Sequence, residues 1–155
     1  MRPKIVAQRI VAHVLNPYDR IVIMASYDPE GLLTLDTVMN VILKTNKFTY
    51  EYILGILNSR FAEWFYYWFV YNRAVRTMDL DAYYMGKLPI KEINSENQAI
   101  AEQIEKLVSQ ILQIKAQDPN ANTQELERQI DQLVYQLYKL TPEEIELIER
   151  KLKQN

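Results

Sequence analysis

Residues 49–71 read TYEYILGILNSRFAEWFYYWFVY. Ile53, Leu54, Leu57, Phe61, Trp64, Phe65 and Trp68 crowd into helical spacing, which predicts one helix from Thr49 to Tyr71, apolar around most of its circumference and so largely buried. Within it only Glu63 interrupts the run Phe61–Val70. A membrane span needs about 20 apolar residues. This run, extended backward, meets Arg60, Ser59 and Asn58 instead. The stretch reads as the core helix of a globular unit whose large rings supply the buried area. A platform on which nucleobases stack is the other role open to such rings.

Upstream, Lys4–Leu15 and Arg20–Tyr27 are rich in β-branched residues and flank the turn signal Asn16-Pro17-Tyr18-Asp19, predicting a β-hairpin. Asp28-Pro29-Glu30-Gly31 marks a second turn, and Leu33–Leu43 a third strand. Downstream of the helix, Asn72–Met78 reads as a polar, basic loop. Lys87-Leu88-Pro89-Ile90 is predicted to be extended, because a proline disfavours helix in the residue before it. These elements make an α+β unit over residues 1–93.

Residues 94–155 differ in kind. Ser95 and Gln98 have the spacing of a capping box, followed by Ile100, Ile104, Leu107, Ile111 and Ile114 in steps of four and three. After a polar break at Gln117–Asn120, the pattern recurs in Leu126, Ile130, Leu133, Leu137 and Leu140, predicting an antiparallel, coiled-coil-like helical hairpin with Leu107 and Leu133 inside. Thr141-Pro142-Glu143-Glu144 then starts a short third helix through Ile145, Ile148 and Leu152. The fold class is thus α+β, a small sheet on an aromatic helix followed by a helical tail.

Composition narrows the chemistry. The 155 residues contain no cysteine and one histidine, His13, which leaves no set of soft metal ligands and no thiol nucleophile. The three glycines, Gly31, Gly55 and Gly86, fit no phosphate-cradling pattern. No catalytic residue and no metal ligand is assigned, so the expected activity is binding. The charge is uneven: residues 1–93 hold 11 Lys/Arg against 9 Asp/Glu, and residues 94–155 hold 7 against 11. Attraction to phosphate therefore belongs to the first unit. Met1-Arg-Pro-Lys-Ile has no apolar segment of a secretory signal, and a cytoplasmic location is expected.

Asn16-Pro17-Tyr18 lacks one proline of the Asn-Pro-Pro-Tyr tetrapeptide of amino-methyltransferases and reads as an ordinary turn. Glu149-Arg150-Lys151 has the spacing of a nuclease Glu-x-Lys but reads as the solvated face of a terminal helix, and His13 reads as a packed strand residue. More informative are Lys4, Arg9, Lys44, Lys47, Arg73, Arg76 and Lys87, interleaved with Gln8, Asn40, Asn46 and Asn72 at turns and strand ends. They combine phosphate-neutralising cations with the amide and guanidinium groups that read base edges. Composition alone leaves open both nucleic-acid binding and a protein-interaction adaptor that works through the helical hairpin.

The order of several motifs favours the first, with the adaptor kept as the rival. Lys4-Ile-Val-Ala-Gln-Arg9, Thr34-Leu-Asp-Thr-Val38, Tyr52-Ile-Leu-Gly-Ile-Leu-Asn-Ser-Arg60, Lys87-Leu-Pro-Ile90, and Gln129–Thr141 followed by Glu143-Glu144-Ile145 span nearly the whole chain. Together they resemble the C-terminal target-recognition (specificity) domain of adenine-specific DNA methyltransferases of the TaqI-like and type IIG restriction-modification kind. Type I specificity subunits share the first two motifs and are near neighbours. The resemblance implies double-stranded DNA as partner, with Gln8, Arg9 and the loop Asn72–Arg76 lying toward it. It also implies a methyltransferase domain, N-terminal in the same polypeptide, that binds S-adenosylmethionine, so that this chain alone has no cofactor and no catalysis.

Overall fold

A computed structural model describes residues 2–11, 13–14, 20–73 and 78–150, with the side chain of residue 150 set aside. Three strands form an antiparallel sheet in the order β5-β1-β6: β1 (Lys4–Gln8) lies between β5 (Ala25–Asp28) and β6 (Val38–Val41). Lys4 faces Asp28 and Ala7 faces Ala25 on one side, while Ile5 faces Val41 and Gln8 faces Val38 on the other. Because side chains alternate, Ile5 and Ala7 are buried against the helices, whereas Gln8, Ser26 and Asn40 are exposed on the opposite face.

The expected hairpin is present but broken. Five residues separate Ala7 from His13, while three separate their partners Ala25 and Ile21. The additional length is β2 (Ile10–Val11), which turns away to pair with β7 (Met78–Asp79), before β3 (His13–Val14) rejoins β4 (Arg20–Ile21). The turn at Asn16–Asp19 lies outside the described residues. The third strand is shorter than Leu33–Leu43, because its first residues form a loop in which Leu33 and Leu35 are 93% and 78% exposed.

The single helix predicted for residues 49–71 is three consecutive pieces: α1 (Tyr50–Leu57), α2 (Arg60–Phe65) and a π-helical turn (Tyr66–Val70). The break is chemical. Ser59 adopts an extended backbone, accepts from the Ala62 N–H as N-cap of α2, and donates its hydroxyl to the Ile56 carbonyl at 2.7 Å. Beside it the Asn58 amide bonds both backbone groups of Ala25, at 3.0 and 3.1 Å, which ties the end of α1 to the edge strand β5.

A short helix α3 (Ala82–Met85), capped by Asp81, follows β7 and is absent from the sequence reading. After it the chain to Lys91 lies without regular structure under a row of tyrosines. The Tyr66 hydroxyl donates to the Met85 carbonyl at 2.7 Å, Tyr138 to Pro89, and Tyr52 to Lys91 at 2.8 Å. Leu88, 5% exposed, anchors this segment in the core. The buried rings thus also satisfy backbone carbonyls that no ladder pairs.

The tail forms α4 (Gln98–Gln117), α5 (Gln124–Leu137) and α6 (Pro142–Arg150). The Ser95/Gln98 capping box does not form: α4 begins after Asn97, whose side chain accepts from the Asn94 N–H while Asn94 in turn accepts from Glu96 and Asn97. The box at α6 does form, with Glu144 N–H donating to Thr141 Oγ1 and Thr141 N–H to the Glu144 carboxylate. Leu107 and Leu133 are only half-buried, while Ala101, Ile104 and Val108 of α4 and Ile130, Val134 and Leu137 of α5 are buried. The face turns because α4 packs on α1 as well as on α5. One continuous core joins Ile5, Tyr52 and Phe61 to Ile104, Val134 and Ile148. Leu152 lies outside the described residues.

Candidate nucleic-acid interface

The described residues at one end of β1 build a polar site. Arg9 follows β1 and is held through both its backbone and its side chain. Its N–H donates to the Thr37 carbonyl, its own carbonyl accepts from Leu80, and its guanidinium grips Asp79 through Nε and Nη2, both at 2.9 Å. Nη1 donates to the Asp36 carbonyl at 3.3 Å. The hydrogen bonds from Arg9 hold the Asp79 carboxyl below the ordinary range, and Asp79 in turn raises the guanidinium. Both side chains remain about 40% exposed.

Asn72 and Arg73 join this neighbourhood through Tyr71, whose hydroxyl donates to the Asp79 carbonyl at 3.3 Å. Both have left-handed backbones, with φ of 47° and 60°, which is uncommon without glycine and keeps the chain turning away from the π-helical turn. The Arg73 N–H closes that turn on the Tyr67 carbonyl, and its guanidinium lies 4.9 Å from the Trp68 ring. Rings then continue from Tyr71 to Tyr84 and Tyr83, where the Lys87 ammonium sits 4.2 Å above the ring of Tyr83, itself 64% exposed. Cations that rest on aromatic faces keep less of their flexibility, so they are presented in fixed places.

The other expected contacts fall elsewhere. Gln8 and Asn40 are diagonal neighbours on the open face of the sheet, where Asn40 also bonds Thr34 at 2.8 Å. Lys44, Asn46 and Lys47 are exposed but lie past the opposite end of β6, near Pro3 and Tyr50 rather than Arg9. Lys47 pairs there with Glu92 at 3.5 Å. Lys4 is a correction: it is 8% exposed, 3.8 Å from Asp28, and donates to the Leu32 carbonyl, so its charge holds a turn and does not face solvent. Arg76 lies outside the described residues. His13 packs its ring 5.4 Å from that of Tyr67, in keeping with a packed role.

A second polar cluster fastens the tail. Asp131 accepts from the Arg60 N–H at 2.8 Å and lies 3.3 Å from Arg60 Nε, while Arg60 Nη1 reaches Glu149 at 2.6 Å and the Tyr135 hydroxyl donates to Glu149 at 2.9 Å. Glu149 thus pairs with Arg60 of α2 and Tyr135 of α5 and is not part of a solvated face. Asp79, Trp68, Tyr83 and Asp131 were not legible as site residues, since their partners are remote in sequence or unremarkable in type. Among the described residues no cluster of His, Asp and Glu has the makings of a metal site.

Glu63 lines a groove of about 1070 Å³ between the β1–β5 edge and helices α1, α4 and α5. Burial pushes its carboxyl up to about 7, with Asp131 adding to the effect and Arg20 and Arg60 opposing it. The folded chain therefore holds this proton more tightly than the unfolded chain, and stability falls as pH rises from about 4.5 through 7. We expect Glu63→Gln to remove about 2 kcal/mol of the stability difference between pH 5 and pH 8. Urea titrations at the two pH values measure it. A change under about 0.5 kcal/mol would show that Glu63 is well solvated.

This is an α+β module with a helical buttress and exposed cations and amides at one end of its sheet. The profile of the TaqI-like C-terminal specificity domain matches residues 1–90, and the chain belongs to that family. No curated protein and no solved structure gives a significant match. Membership carries a DNA sequence-specificity role in restriction-modification enzymes. No helix among the described residues is long and apolar enough to cross a membrane.

Proposed function

We propose that the chain is the sequence-recognition module of an adenine-N6 DNA methyltransferase of the TaqI-like or type IIG kind, cytoplasmic and without catalysis of its own. Residues 1–93 face double-stranded DNA. Residues 94–155 brace that unit against a methyltransferase domain of the same polypeptide, which binds S-adenosylmethionine. The observation that carries the reading is the family match over residues 1–90, which contain Gln8, Arg9, Asn72, Arg73 and Lys87. The glycines support leaving the cofactor to the other domain. Gly31 packs on the backbone of Arg2, Gly55 on Ile104, and Gly86 ends α3, so each is committed to packing or capping.

Arg73 and Arg76 are assigned to the DNA backbone, with Gln8 and Asn40 toward base edges. Binding of this chain to duplex DNA, followed by fluorescence anisotropy between 50 and 200 mM salt, tests the assignment. The logarithm of affinity should fall linearly with that of salt, by about 0.9 for each phosphate neutralised, and Arg73→Ala should flatten the slope by about one unit. Salt-insensitive retention of duplex DNA would contradict the reading and favour a protein-interaction adaptor.

A further inference from the structure

We infer that Arg9 and Asp79 form a preordered guanine reader, in which Asp79 is a positioning residue that aims the free edge of the Arg9 guanidinium at the O6/N7 pair of one guanine in the major groove. The inference rests on the proposed DNA reading and adds to it a base and a residue outside the family motifs quoted above.

Three observations carry it. First, the grip is side-on and two-pronged, from Nε and Nη2 to the two carboxylate oxygens at 2.9 Å each. With Nη1 bound to Asp36, three of the five N–H groups are engaged, and each terminal nitrogen keeps one. One free N–H on each terminal nitrogen is the number of donors that the adjacent acceptors of guanine need for a bidentate contact. Second, the backbone under the side chain is fixed by bonds to Thr37 and Leu80, and Asp79 stands on the paired strand β7 opposite Ile10. An arginine ordered before binding loses little conformational freedom when it binds. Third, the surroundings are wrong for phosphate. Asp36, Asp79 and Asp81 all act on the Arg9 charge, and their negative field opposes an approaching phosphate while leaving the neutral edge of a base free to dock. Arg73, resting on Trp68, comes two residues after Tyr71, whose hydroxyl bonds the Asp79 carbonyl, so one residue can bind backbone while the other reads sequence.

The experiment is selection from a randomised duplex pool with this chain and four variants, Arg9→Ala, Arg9→Lys, Asp79→Ala and Asp79→Asn, with thermal melts to compare folding. The wild type should converge on a site that contains a guanine at one fixed position. Arg9→Ala should lose about 5- to 150-fold on that duplex, become indifferent at that base pair alone, and keep the salt slope. Arg9→Lys keeps the charge but lacks the fork, and should relax the same pair. Asp79→Asn keeps the side-chain size and one acceptor oxygen, which guards the β2–β7 pairing, and should also relax it. A loss equal on all sequences with a slope flattened by about one unit would make Arg9 a phosphate contact and overturn the inference alone. Asp79→Asn with the wild-type profile beside a relaxed Arg9→Ala would remove the positioning role. A wild type that selects no sequence would overturn both the proposed function and this inference.

Discussion

Gly55→Val is expected to destabilise the chain by about 3 kcal/mol, and Gly55→Ala by less than half as much. A Cβ at position 55 would lie 2.5 Å from Cγ2 of Ile104, 3.1 Å from Cγ2 of Val108 and 3.8 Å from Cγ2 of Ile130. The first two neighbours are β-branched residues of α4, whose side chains are stiff in a helix and cannot swing aside. Overpacking of this kind costs about 1–3 kcal/mol for added methylenes, and the larger valine belongs at the top of that range. For alanine, the gain of about 1 kcal/mol from replacing a helical glycine offsets part of the clash. Denaturant unfolding of the two variants measures both. Valine tolerated at under about 0.5 kcal/mol would mean that α1 and α4 do not approach as described.

The second large effect is expected at Asp131, where the alanine variant should lose about 3 kcal/mol and the asparagine variant about 1 kcal/mol. Asp131 is 7% exposed and serves two partners on α2, the Arg60 N–H at the helix start and the Arg60 guanidinium. A carboxylate at a helix N-terminus also meets the positive end of the helix dipole. Removing one partner of a buried pair leaves an uncompensated charge and typically costs about 3–5 kcal/mol. Arg60 retains Glu149 and is partly exposed, which brings the expected value to the low end. Asparagine keeps an acceptor oxygen for the N–H. Equal losses in the two variants would show that the contact is packing and not hydrogen bonding.

Both sites explain what could be read from residue order and what could not. Local patterns were legible: the Thr141/Glu144 box lies within one turn, and the amphipathic stripes of α4 and α5 need only their own spacing. The break at Asn58-Ser59 was hidden because the apolar pattern runs through it unbroken. What holds the break is the Ser59 cap together with the Asn58 amide reaching Ala25, 33 residues back. The heptad positions marked the correct helices but an offset face, since α4 must serve α1 through Gly55 as well as α5. At the candidate interface, residue type identified Arg9 and Lys4 alike. Only the fold separates an arginine clamped at the surface by Asp79, 70 residues away, from a lysine buried beside Asp28.

The central claim is that this chain recognises DNA by sequence, and the most direct measurement is the affinity of the wild-type chain for its best selected duplex relative to the average of the random pool at one salt concentration. The account predicts a preference of at least about 100-fold, which corresponds to reading about two base pairs by direct contact. Equal affinity for the two at every salt concentration would contradict it.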